Sequence, residues 1–264
     1  MDSLIKANVS RKLLYICSLI LFILIFLLSV SIGSVKISFL DTLRIVMNKF
    51  FAIGDISELQ SSLVIIIEKV RIPRVLLSAL VGAALSVAGT AMQGLLRNPL
   101  AESSTLGIST GGALGAVITI AIGFEIPFFP SYSITIMSIL FAFLTLVLVL
   151  TLSYKINYTL SSSTIILTGV IVSMFAGSLI SFIITLSEEK LQSIVYWTMG
   201  SFSGRGFEYV WLVLPFFIIG VLGLLRYSRE LNAFALGEEK AGYIGVKTKK
   251  IKIMIMIFVS ILVG

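Results

Sequence analysis

The sequence predicts an all-α fold: a polytopic bundle of transmembrane helices, with about six complete spans and the start of a seventh, the first part of a larger bundle. Three observations carry this. Of the 264 residues, 58% are hydrophobic and only 12% are charged, and the mean hydropathy is +1.09; a soluble domain carries roughly 25% charged residues. The apolar residues fall in runs of about 16–23, near the length a helix needs to cross ~30 Å of hydrocarbon. The breaks between runs are basic or rich in Pro and Gly, as loops at a membrane surface are.

In chain order, the complete runs are Leu13–Val30, Val75–Met92, Leu106–Phe124, Ser131–Ser153, Thr164–Leu186 and Val210–Leu225, and a seventh begins near Ile251. Lys6, Arg11 and Lys12 precede the first run, as in a secretory signal. That run of about 18 residues is long for a signal core, and no small-x-small cleavage site follows, so it is expected to stay as an uncleaved helix. The chain stops inside the seventh apolar run, at Gly264. A span cut there is expected to be a fragment of a longer chain. Residues 1–264 therefore read as a single transmembrane domain, incomplete at its C-terminus.

The net charge of +7 does not indicate nucleic acid, because the basic residues lie between apolar runs rather than on one face. They mark topology instead. Twelve of the twenty Lys and Arg (Lys6, Arg11, Lys12, Arg97, Lys155, Arg226, Arg229, Lys240, Lys247, Lys249, Lys250 and Lys252) fall on one side. The other eight are offset by eight acids. The first side is expected to be cytoplasmic, with the N-terminus inside.

Several functions are excluded by what is missing. With no histidine, the commonest metal ligand and general base are absent, and the lone Cys17 forms no disulfide within the chain. No catalytic, cofactor or metal residues are expected. No complete span carries an interior Asp, Glu, Lys or Arg, which argues against an ion-coupled secondary transporter without removing that alternative. There is no phosphate-binding loop, so ATP, if it drives the protein, binds a separate subunit.

Four local patterns bear on function. Gly107, Gly111 and Gly115 recur every four residues, and Gly82 and Gly89 lie among Ala and Ser, so both segments are expected to pack closely against neighbouring helices. The fifth run is rich in hydroxyls, and Thr168, Ser173, Ser178 and Ser181 are candidates to line a wet path. The alternative is that each hydroxyl satisfies its own helix backbone. Arg71-Ile72-Pro73-Arg74 opens the second run. Pro suits a first helical turn, but cations oppose the dipole there, so an anionic partner is expected: Glu68, lipid phosphate, or the carboxylates of a docking protein. Finally, the segment 227–249 reads as two short helices. Leu231, Phe234 and Ala235 share a face on the first, Gly237 breaks it, Glu238 and Glu239 open the second, Ala241 and Ile244 share its face, and Gly245 ends it. It suits either docking to a soluble partner or lying on lipid headgroups.

The stretch R-I-P-R-V-L-L-S-A-L-V-G-A-A-L-S-V-A-G-T-A-M-Q-G-L-L-R-N-P-L-A (Arg71–Ala101) and L-G-I-S-T-G-G-A-L-G-A (Leu106–Ala116) resembles FecCD-type permeases, which import iron-siderophore complexes, haem or cobalamin. L-N-A-F-A-L-G-E-E-K-A-G-Y-I-G-V (Leu231–Val246) resembles the coupling helices of that family, and Tyr196–Phe202 is similar in kind. The resemblance implies a fold of about ten helices in a bacterial cell (inner) membrane. It also implies a second permease copy or paralogue, two cytoplasmic ATP-binding subunits, and an external lipoprotein or periplasmic binding protein. It assigns Arg71 and Arg74 to docking of the binding protein. Leu231, Asn232, Leu236, Gly237, Glu238, Glu239, Ala241 and Gly245 would engage the ATPase, the fifth run would line the central path, and Gln192–Phe202 would lie near an external gate. Ser78–Gly82 (S-A-L-V-G) echoes Ser260–Gly264 (S-I-L-V-G), as expected where a second structural repeat begins.

Overall fold

The computed structural model describes the backbone of residues 2–264 and the side chains of residues 12–264 except Ser103, so Lys6 and Arg11 of the charge count lie outside the described side chains. Among the described residues there is helix and no strand. The long helices are α1 (Asp2–Ser31), α4 (Ile72–Leu96), α5 (Ile108–Ile122), α6 (Ser133–Ile156), α7 (Ser162–Leu186), α9 (Phe207–Arg226) and α12 (Thr248–Val263). The shorter ones are α2 (Phe39–Phe51), α3 (Ser61–Ile65), α8 (Leu191–Met199), α10 (Ser228–Ala235) and α11 (Glu238–Tyr243).

Among the described residues, five segments are long and apolar enough to cross a membrane: Lys12–Ser31, Ser61–Leu96, Pro130–Ile156, Ser162–Leu186 and Phe207–Arg226. The expected third span is shorter than its apolar run. Gly107 and Gly123, both left-handed, bound α5 at 15 residues, about 22 Å at 1.5 Å per residue. Its depth of burial comes from protein neighbours rather than from its length.

The chain forms two compact units. One comprises Met1–Ala79 and Phe202–Trp211. Its core holds Val30, Ile45, Val46, Ile67 and Ile72, with Phe207 packed against them. Helix α2, which the apolar runs do not announce, contributes Thr42, Ile45 and Val46. Its start is a reciprocal cap: Asp41 N–H donates to Ser38 Oγ at 3.0 Å, and Ser38 Oγ donates to the Asp41 carboxylate at 2.7 Å. The S-x-x-D spacing was the signal in the sequence.

The other unit comprises Leu80–Ser201 and Leu212–Gly264. Its core gathers Met92, Leu95, Leu106, Ile108, Leu146, Leu160, Ile165, Phe234, Ile255, Met256 and Val259. Helix α5 lies against α6 and α7. Gly111 and Gly115 make that approach possible, because a Cβ at Gly115 would stand 2.6 Å from Met137 O and Phe141 Cβ, and one at Gly111 would strike Thr145. Gly107 is not on that helical stripe. It is the left-handed turn before α5 (φ +73°), and a Cβ there would meet Ser173 Oγ at 2.9 Å. Among the described residues outside their own turns of helix, nothing lies within 4 Å of a Cβ added at Gly82 or Gly89, so the close packing expected there is not made by them.

Candidate functional site

Arg71 and Arg74 do not stand at a helix start. The helix begins at Ser61 and runs on to Leu96, passing through a π-helical segment at Ile66–Arg71. Pro73 follows that segment by two residues. A proline ring cannot donate its i→i−4 bond, and the wider π turn, with Ile72 N–H reaching Ile67 O, re-spaces the ladder just ahead of it. The dipole argument for an anionic partner therefore fails at these positions, and Glu68 is not that partner: it pairs with Lys49 at 3.4 Å.

The two arginines have different environments. Arg71 is 8% exposed. Its Nη1 donates to Val30 O at 3.0 Å and Ser31 O at 2.6 Å, and its Nη2 donates to Val35 O. These carbonyls belong to the end of α1 and the turn after it, where a helix leaves acceptors unpaired and carries the negative end of its dipole. Gly33 lets the guanidinium lie flat there, since a Cβ would come within 2.6 Å of Arg71 Nη2. Arg71 thus caps a helix from inside the fold. Arg74 is exposed. It lines a cavity of about 610 Å³ with Ser29, Gly33, Ser34, Arg71, Ser78 and Phe202.

The two-helix hairpin expected at 227–249 is present as α10 and α11, with Gly237 (φ +119°) between them and Gly245 (φ +88°) after them. Its residues divide into an anchored set and a displayed set. Ala233, Phe234 and Ala241 are buried. Leu231 and Asn232 line a groove of about 450 Å³ with Ser86, Thr90 and Gly94 of α4 and Leu224 of α9. Leu236, Glu239, Tyr243 and Ile244 are exposed. Ala241 and Ile244 therefore do not share a face: Ala241 is fully buried and Ile244 is two-thirds exposed. Helix α11 is only six residues long, and its last turn uncoils through Ile244.

On α7, the four hydroxyl candidates do not form one stripe. Thr168 is buried, and Ser173 sits behind Gly107. Ser178 and Ser181 are exposed. Each of the three serines donates to a carbonyl one turn back: Ser173 to Gly169, Ser178 to Met174 and Ser181 to Gly177, at 2.8–3.1 Å. These hydroxyls satisfy themselves, as helix serines do in apolar surroundings. The exposed face of α7 carries Leu167, Ile171, Met174, Phe175 and Phe182 beside Ser178 and Ser181.

Sequence reasoning counted Lys252 only as a topology charge. In the structure it is fully buried, paired with Glu238 Oε1 at 2.6 Å and donating to Leu160 O at 2.7 Å. A signal was available, because Lys252 shares its helix face with the buried Ile255, Met256 and Val259. Among the described residues, no cluster of His, Cys, Asp or Glu could hold a metal.

A model of the FecCD transport family matches residues 21–264. The chain belongs to the FecCD transport family. FecCD relatives align along nearly its whole length. A permease of Bacillus subtilis, YvrB, described as an uncharacterized ABC transporter permease protein, is 41% identical over 98% of this chain and 73% of its own. The Fe(3+)-citrate import system permease YfmD of the same organism is 33% identical with the same coverage. The iron(3+)-hydroxamate permease FhuG, also from B. subtilis, is 29% identical over 93% of this chain and 71% of its own. A solved metal-chelate type ABC transporter in an inward-facing conformation superposes with a TM-score of 0.78 at 30% identity, covering 96% of this chain and 74% of that one. As a FecCD chain, this is a multi-pass membrane protein and a transport subunit of the ABC class, and the ion-coupled alternative falls away.

Proposed function

We propose that this FecCD chain is the membrane-spanning subunit of an ATP-driven importer that moves an iron-siderophore-type chelate from an external binding protein to the cytoplasm. The α10–α11 hairpin carries the reading. Its inner residues are buried and its outer residues, Leu236, Glu239, Tyr243 and Ile244, are displayed, a form that suits a docking element for a soluble ATPase. The Lys and Arg balance supports a cytoplasmic hairpin, with the N-terminus on the same side. Two ATP-binding subunits and a second permease copy or paralogue would complete the machine in the cell (inner) membrane. The exposed face of α7 would meet the central path, and α8 would lie near the external gate.

On the external side, Arg74 takes the docking role and Arg71 supports it from within. Arg74 is exposed and able to offer a bidentate fork to a carboxylate of the binding protein, whereas both terminal nitrogens of Arg71 already donate to carbonyls. An iron chelate is the favoured cargo because YfmD and FhuG are named for iron citrate and iron hydroxamate. Haem and cobalamin form the second reading, since a hemin permease of Yersinia pestis is 33% identical over 74% of this chain and a cobalamin permease of Halobacterium salinarum is 32% identical over 75%.

The test is uptake into proteoliposomes holding the permease, its ATPase and its binding protein, with ferric citrate, ferric hydroxamates, hemin and cobalamin offered in turn. ATP-dependent accumulation of a ferric chelate is expected. Accumulation that persists with a hydrolysis-dead ATPase would overturn the reading.

A further inference from the structure

We infer that Lys252 is a positioning residue that ties the hairpin to the start of α7, so that a displacement of the hairpin is passed to α7 through one buried ammonium. The inference deepens the proposed function and rests on it for the direction of the signal.

Three elements converge on Lys252 Nζ. Lys252 itself lies in the first turns of α12 and is fully buried. Glu238, the first residue of α11, places its carboxylate 2.6 Å away. Leu160, in the connection between α6 and α7, accepts a hydrogen bond at 2.7 Å. Leu160 is itself held tightly: it is 1% exposed and left-handed (φ +54°), a conformation non-glycine residues seldom adopt unless their surroundings enforce it. The next residue, Ser161, caps α7 by accepting from Thr164 N–H at 3.3 Å. A shift of Leu160 is therefore a shift of the α7 cap. Among the described residues, no other ion pair or side-chain hydrogen bond joins the hairpin to the α6–α7 connection.

Stability alone does not explain a lysine here. Desolvating an ammonium offsets most of what its partners return, and an apolar side chain of similar volume often packs as well or better. What a lysine adds is directed bonds to two separate elements at once. The Glu238 end is also able to let go, because its side chain is one-third exposed and its carboxylate can be hydrated when the contact opens. A neighbouring contact braces the same region: Lys249 Nζ lies 3.9 Å above the Tyr154 ring, near the end of α6.

The variants Lys252→Met and Glu238→Gln test the link in the complete importer with its ATPase. Lys252→Met keeps most of the length and volume and removes the donors. It is expected to assemble with the ATPase and to hydrolyse ATP, while substrate moved per ATP falls about tenfold, inside the 5–150-fold range of typical coupling energies. Glu238→Gln, which retains the Leu160 bond, is expected to lose less, and Lys252→Arg to recover part of the loss. A second readout needs no transport. Spin labels at Glu239 and Ser162, in a Cys17→Ala background, are expected to give one narrow distance distribution in the parent protein and a broadened one in Lys252→Met. If Lys252→Met does not assemble, the same distances in Glu238→Gln decide. Parent-like coupling or an unbroadened distribution overturns the inference. Absence of ATP-driven uptake in the parent protein counts instead against the proposed function, and the distance measurement still decides the link.

Discussion

The surroundings of Arg71 and Lys252 solve one problem in two ways. Each presents a buried cation to backbone carbonyls. Arg71 meets three carbonyls around the end of α1 and, among the described residues, no carboxylate. Lys252 meets one carbonyl and the carboxylate of Glu238. The first arrangement is a permanent cap. Its acceptors are backbone atoms whose positions the chain fixes, and Gly33 leaves the room the guanidinium fills. The second is a joint, because one of its partners is a side chain that water can reach. The lesson is that burial of a charge does not by itself indicate function; what matters is whether its partners can be satisfied without it.

The largest expected effect separates the two directly. Arg71→Met leaves three carbonyls without donors and should cost roughly 3–5 kcal/mol of stability, read as a lower thermal midpoint in detergent, whereas Lys252→Met should cost about 1–3 kcal/mol, since Glu238 can hydrate. Equal losses would erase the distinction between cap and joint. Next in size, Gly33→Val puts atoms where the guanidinium lies, and overpacking of this kind costs about 1–3 kcal/mol. A fully stable Gly33→Val would mean that Arg71 has room to cap from elsewhere.

Arg74→Glu sharpens the comparison from the other side. With an exposed side chain it should change stability by no more than ~0.5 kcal/mol. It should nevertheless weaken binding of the external protein in nanodiscs about tenfold or more, ~1.4 kcal/mol, with the loss shrinking as salt rises. Unchanged affinity at low salt would remove Arg74 from the docking surface. The smallest effect is expected from Gly82→Ala, under ~0.5 kcal/mol, because among the described residues nothing outside its own turn of helix lies within 4 Å of the new methyl group. A marked drop would reveal a helix from outside this chain on that face.

These pairs also show what could be read in advance. Composition and run length determined that the chain is helical and crosses a membrane, because lipid requires every backbone group to be bonded within its own segment. Gly237 and Gly245 marked the hairpin correctly, since turns with positive φ select glycine and that choice is local. The motif Arg71–Ala101 led to the family for the same reason, as contiguous sequence. Tertiary structure alone decided which side of each element faces inward. A pattern of apolar residues sorts inside from outside when the outside is water. In a membrane both sides are apolar, so Thr168 and Ser178 read alike in sequence although one is buried and the other exposed. Arg71 and Arg74, three residues apart, became a cap and an exposed side chain only through what the folded chain brings near each. Lys252 became a joint only because Leu160, 92 positions away, folds back onto it. Such separations leave no local trace, because the contact energy depends on the assembled backbone and not on the neighbours in sequence.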